Sequence, residues 1–118
     1  MTGEAHDRTP PPQGLDEAIH HPTRLQFMAF LSGCAEAEFA AVRDYCAVSD
    51  ASVSRIAQAL EAEGYVRIRK GYIGKRPRTW LSLTTQGRTA LTAHMAALQA
   101  LAEAAQQAGA HNNEPSGD

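Results

Sequence analysis

The hydrophobic period of this chain changes within one short stretch. From Val53 to Leu60 the apolar residues (Val53, Ile56, Ala57 and Leu60) recur at helical spacing. Directly after them the pattern alternates, with Val66 and Ile68 on one side and Arg67 and Arg69 on the other. A second alternating run, 79–83, sets Leu81 and Leu83 against Trp80 and Ser82. Residues 71–78, between the two runs, contain Gly71, Gly74 and Pro77 and read as a loop with a basic tip. The pattern therefore demands an amphipathic helix followed at once by a β-hairpin.

The flanking segments are helical. A short helix is expected over about 38–46, burying Phe39, Val42 and Cys46, with Ala47-Val48 as the turn into the next helix. Ser49 can cap that helix through its hydroxyl. Asp50 falls in the first turn, where it suits the helix dipole, although it could also accept from a cytosine amine. Gly64 ends the helix. Upstream, residues 15–20 can form a short helix that Pro22 interrupts. Another helix, from Pro22 or Thr23 to about Ser32, turns Leu25, Met28 and Leu31 inward.

Thr84 or Thr85 caps a last helix reaching about Gln107. Along it Leu91, Met95, Leu98, Ala102 and Ala105 recur at alternating steps of four and three. That is a coiled-coil-like seam, and its length favours dimerisation over burial in the same subunit. Ten alanines between Ala90 and Ala110 raise helix propensity and allow a partner helix to approach closely. The fold expected is mainly α with a small β-hairpin. Residues 1–14, with Thr9-Pro10-Pro11-Pro12, and 109–118 read as disordered segments around a single domain at 15–108, whose dimerisation helix occupies 85–107.

Net charge is −2, which alone argues weakly against a nucleic-acid partner. The distribution of charge argues the other way. Seven basic residues (Arg67, Arg69, Lys70, Lys75, Arg76, Arg78 and Arg88) lie between 67 and 88 with no Asp or Glu among them. Fields are screened within about 8–10 Å at cellular salt, so a local patch acts on phosphates whatever the total charge. A helix, a turn, a second helix and a basic hairpin are also what is needed to set one helix in a DNA major groove and steady it with an arm.

At this point the residues resemble winged helix-turn-helix transcription regulators of the MarR and ArsR type, over roughly 15–98. Four segments carry the resemblance: His21-Pro22-Thr23-Arg24-Leu25; Val48 to Leu60 followed by Glu61-Ala62-Glu63-Gly64-Tyr65-Val66; Lys75-Arg76-Pro77-Arg78-Thr79; and Leu83-Thr84-Thr85-Gln86-Gly87-Arg88. The chain is more similar to a compact subgroup with a single C-terminal helix after the wing. The resemblance implies a homodimer on double-stranded DNA, with Ser49, Ser52, Ser54, Arg55 and Gln58 on the recognition helix facing the major groove. It places Lys75, Arg76 and Arg78 on a wing over the minor groove or backbone. Arg55 is the residue suited to bidentate bonding with guanine, and the serines suit phosphate.

Other classes fit less well. There is no GxSxG, P-loop or HExxH, and no acid/base pair within one segment, so no enzyme is expected. A winged-helix module that binds protein instead of DNA would favour an acidic recognition face, which this chain lacks. A ligand- or redox-responsive sensor would add to DNA binding, and a small-molecule effector is left open. Cys34 and Cys46 have no CxxC partner and read as small reduced core residues. His20, His21 and His94 have no metal-ligand spacing, and neither metal nor cofactor is expected. No apolar run reaches the roughly 18–20 residues of a membrane helix. The chain is expected to be soluble and cytoplasmic.

Overall fold

A computed structural model describes residues 14–112, and the disorder expected for 1–13 and 113–118 lies outside them. In chain order the elements are α1 (Pro22–Ser32), β1 (Ala37–Glu38), α2 (Phe39–Cys46), α3 (Asp50–Ala62), β2 (Val66–Ile73), β3 (Arg76–Leu83) and α4 (Thr85–Asn112). The three strands form one antiparallel sheet in the order β1-β3-β2.

Helix α3 begins where its cap dictates. Ser49 has extended backbone, and its Oγ accepts the Ser52 N–H at 3.1 Å. The preceding turn is made by Ala47 in the left-handed region, φ 57 and ψ 46, with its N–H donating to the Arg43 carbonyl. Val53, Ala57 and Leu60 are buried on the inward stripe of α3, and Ile56 packs against the same core. They join Phe27, Met28 and Leu31 of α1, Val42 and Cys46 of α2, and Val66, Leu81 and Leu83 of the sheet. Burying each large member of such a set contributes about 1.5–3 kcal/mol. The core therefore holds α3 by one face only, which leaves the opposite face outward.

The hairpin differs from the expected loop. β2 and β3 pair over eight positions, from Val66↔Leu83 to Ile73↔Arg76, and only Gly74 and Lys75 turn the chain. Gly74 takes φ 63, as tight two-residue hairpins require. Gly71 lies within β2 and Pro77 within β3, and β1 pairs with β3 only at Leu81 and Trp80. Beyond that point β3 is an edge strand, where a proline without an N–H is tolerated. β1 itself was not expected: Glu38 is strand, and α2 starts one residue later.

Two further expectations are corrected. Residues 17–19 form a turn, because the Asp16 Oδ1 accepts the Ala18 N–H at 2.9 Å and the Asp16 carbonyl accepts from Ile19 and His20. The last helix runs past Gln107 to Asn112, so 109–112 are helical.

Thr84 joins α3 to α4. Its Oγ1 donates to the Gly64 carbonyl at 2.6 Å and accepts the Gly87 N–H at 2.9 Å, while its own N–H donates to the Tyr65 carbonyl at 3.0 Å. Thr84, rather than Thr85, is thus the cap. Gly87 is buried against the Tyr65 backbone, so closely that a Cβ there would stand 2.1 Å from the Tyr65 carbonyl oxygen. Further along, α4 buries Leu91 and His94, and every residue from Gln99 to Asn112 is exposed.

Candidate nucleic-acid interface

The outward face of α3 stands as a ridge between two grooves. On one flank Asp50, Ser54, Gln58 and Glu61 face Lys70, Pro77, Arg78 and Thr79 of the hairpin across an open cleft floored by Ala57, Ile68 and Leu81. On the other flank Ser52 and Arg55 face Glu17, His20, His21, Thr23 and Arg24. The sequence-predicted reading residues are thus brought onto one helix but split between its two sides. Ser49 is spent on capping; its hydroxyl also bonds the Ser52 hydroxyl at 3.1 Å. Arg55 is exposed and leans toward the helix start, with Nη2 3.5 Å from the Ser52 Oγ. Asp50 lies in the first turn of α3, and its carboxylate pairs with Arg43 at 3.0 Å.

The wing is a β-ribbon with Lys75 in its turn and Arg76 and Arg78 on β3. Its charge is smaller than the sequence count suggests. β1 pairs beside Trp80 and brings acids from outside the basic stretch. Glu36 accepts a two-pronged bond from Arg69, at 3.0 Å from Nε and 2.7 Å from Nη2, and Glu38 lies 3.2 Å from the Arg78 Nε. The Arg69 hydrogen bond holds the Glu36 carboxyl below the usual range. Arg69 also stacks 4.1 Å from the centre of the Trp80 ring, a cation over its face. Arg88 donates to the carbonyls of Ser32 and Cys34, closing the loop after α1. Among the described residues, Arg67, Lys70, Lys75 and Arg76 remain without an ion-pair partner. All four are exposed on the hairpin.

Sequence reasoning missed Tyr72 and Ile73. They are 71% and 51% exposed near the hairpin tip, where Tyr72 lies opposite Pro77. An alternation count run through Gly71 would have placed them on the ribbon. The seam residues also sit differently. Leu91 is turned into the protomer's own core, Leu98 is half-buried, and Met95, Ala102 and Ala105 are exposed beside an exposed Leu101. Cys46 is buried and its thiol is pushed up by burial; Cys34 is half-buried with its thiol toward the Leu31 carbonyl, and both are free. Among the described residues no three His, Cys, Asp or Glu side chains converge to hold a metal ion, and no helix is long and apolar enough to cross a membrane.

Comparison with known proteins agrees with this geometry. Residues 23–102 match the family model described as the winged helix DNA-binding domain. A transcriptional regulator homologue from Pyrococcus horikoshii OT3 superposes with TM-score 0.70 and 25% identity, over 75% of this chain and 88% of that one. Bordetella bronchiseptica BpsR, whose DNA binding is regulated by 6-hydroxynicotinic acid, gives TM-score 0.62 at 14% identity, over 78% and 69% of the two chains. The zinc-responsive MarR family member ZitR of Lactococcus lactis gives 0.54 at 17% identity, over 93% and 76%. Among curated proteins no sequence match was found.

Proposed function

This chain belongs to the winged helix DNA-binding domain family, and we propose that it is a sequence-specific regulator of transcription that represses by occupying a palindromic operator as a homodimer. The observation that carries this reading is the α3 ridge, outward on one face and flanked by a hairpin with four exposed cations that have no ion-pair partner among the described residues. The ridge enters the major groove. Ser52 and Arg55 serve one wall, and Ser54 and Gln58 the other. The ribbon with Lys75, Arg76 and Arg78 follows the adjacent backbone or minor groove.

Dimerisation is supported by α4. Its last fourteen described residues, 99–112, are all exposed. An isolated helix of that length is marginal in water even when rich in alanine. A second α4, packed along Met95, Leu98, Ala102 and Ala105 with Leu101 beside them, supplies the missing cover. Two-fold symmetry then sets two recognition helices about 34–36 Å apart, one turn of DNA. DNA binding by BpsR is regulated by 6-hydroxynicotinic acid, and a small-molecule effector that releases this protein from DNA belongs to the same scheme.

Selection of genomic fragments on the purified protein tests the proposal. A recovered inverted repeat, bound with an affinity that falls about 10³–10⁵-fold between 50 and 200 mM salt, is the expected result for 6–10 phosphate contacts. Failure to enrich any fragment, or binding indifferent to salt, overturns it.

A further inference from the structure

We propose that His94 is a proton-operated latch: neutral, it holds the N-terminal strap of residues 15–20 against α4, and protonated, it releases that strap. The ring is fully buried on a helix whose next residue, Met95, is 47% exposed. Its Nδ1 accepts the backbone N–H of Asp16 at 3.0 Å, which fixes the lone pair on that nitrogen and the proton on Nε2. Nε2 is buried and meets no acceptor among the described residues. A second proton would therefore turn Nδ1 into a donor facing a donor, and would leave a charge inside the protein.

Asp16 spreads that event. Its N–H is held by His94, its Oδ1 by the Ala18 N–H, and its Oδ2 by the hydroxyl of Tyr65 just beyond α3. The Tyr65 phenol is pushed up to about 12, chiefly by its bond to that carboxylate, so it stays a donor throughout the range in question. The charges that reach the His94 ring are those of His20, whose ring centre lies 5.5 Å away, and of Asp16; no other ionisable group among the described residues perturbs it. Burial, with His20 added, pushes His94 below the ordinary histidine range, against a smaller opposing pull from Asp16. Above about pH 6.5 the latch therefore contributes fully, and below it the released state takes up the proton first, so docking weakens as pH falls toward the depressed value.

The strap reaches the recognition helix, since its Glu17 and His20 line the groove beside Ser52 and Arg55. Release of the strap therefore remodels one wall of the interface, so that DNA binding weakens in acid. This last link rests on the DNA-binding reading; the latch itself does not.

Two measurements separate them. Histidine-labelled protein followed by NMR from about pH 8 to about pH 5 should show His94 in the Nε2–H tautomer. Over the same range the exchange protection of the Asp16 amide, corrected for intrinsic rate, should fall with the midpoint of His94, by up to tenfold per pH unit. His94→Asn supplies a carbonyl oxygen in place of Nδ1 and should keep that protection flat. An Nδ1–H tautomer, or Asp16 protection unchanged across the His94 titration, overturns the latch; this arm uses the native chain and survives a variant that fails to fold. In the second arm, affinity for a fixed mixed-sequence duplex at constant ionic strength should drop in acid for the native protein more than for His94→Asn. A protein that binds no duplex at any pH overturns the DNA reading instead, and the exchange arm still decides the latch.

Discussion

Replacing Gly87 by alanine should destabilise the protein, although helix propensity alone predicts the opposite. In an open helix, alanine is better than glycine by about 0.8–1 kcal/mol. Here the new Cβ would lie 2.1 Å from the Tyr65 carbonyl oxygen, 2.9 Å from its carbon and 3.0 Å from its Cα. These are backbone atoms, with no rotamer to move into, so α4 must retreat on the order of 1 Å, the shortfall from an ordinary carbon–oxygen contact. Retreat stretches the Thr84 bonds to Gly64 and Tyr65, which are 2.6 and 3.0 Å long. Overpacking of this kind costs about 1–3 kcal/mol, and each weakened bond about 1 more. After subtracting the propensity gain, the net loss is about 2–4 kcal/mol. For a domain near this size that lowers Tm by on the order of 10–30 °C. Urea and thermal unfolding read it directly. A Gly87→Ala protein with equal or higher Tm would refute the close-approach argument, because only propensity would then be acting.

Other outcomes follow from the same geometry. Ser49→Ala removes the α3 cap and should cost about 1 kcal/mol in urea unfolding, whereas Ser49→Asp, which can still accept from Ser52, should recover most of it. Arg55→Ala should relax base preference at one operator position by about 1–3 kcal/mol in competition binding, while Arg76→Ala weakens all sequences alike and reduces the salt slope by about 1 per protomer. If both variants bind like the native chain, the assignment of the two flanks is wrong. Lysines in place of Met95 and Leu98 together should convert a dimer into a folded monomer in sedimentation, since both side chains are at least partly outside the protomer's core; a dimer that persists places the interface elsewhere.

The elements legible in the sequence were those set by local chemistry. The α3 stripe, its serine cap and the inward residues of both strands follow from period and capping rules, and the structure keeps them. What escaped is made by partners distant in the chain. β1 is two residues long and exists only because Leu81 and Trp80 pair with it. Glu36 and Glu38 lie outside the basic stretch, so no count within it could show that Arg69 and Arg78 are neutralised there. Residues 15–20 had helical spacing, but Asp16 bonds its own backbone and competes successfully with a helix. On α4 the inward face runs through Gly87, Leu91 and His94, not through Met95. A polar histidine in the core reads as surface until its partner, an amide 78 residues away in sequence, is seen.

Thr84 closes hydrogen bonds at the end of one helix and at the start of another. In mechanical terms Thr84 makes that corner a bracket, with α3 and α4 as its arms. In a symmetric pair joined through α4, the angle of that corner would be copied twice, and the separation of the reading arms would have little play. Such a pair acts as a fixed-span caliper. One base pair inserted at the centre of its target rotates one half-site by about 34° relative to the other, at 10–10.5 base pairs per turn. The protein would meet that error by losing one arm's grip, and not by stretching.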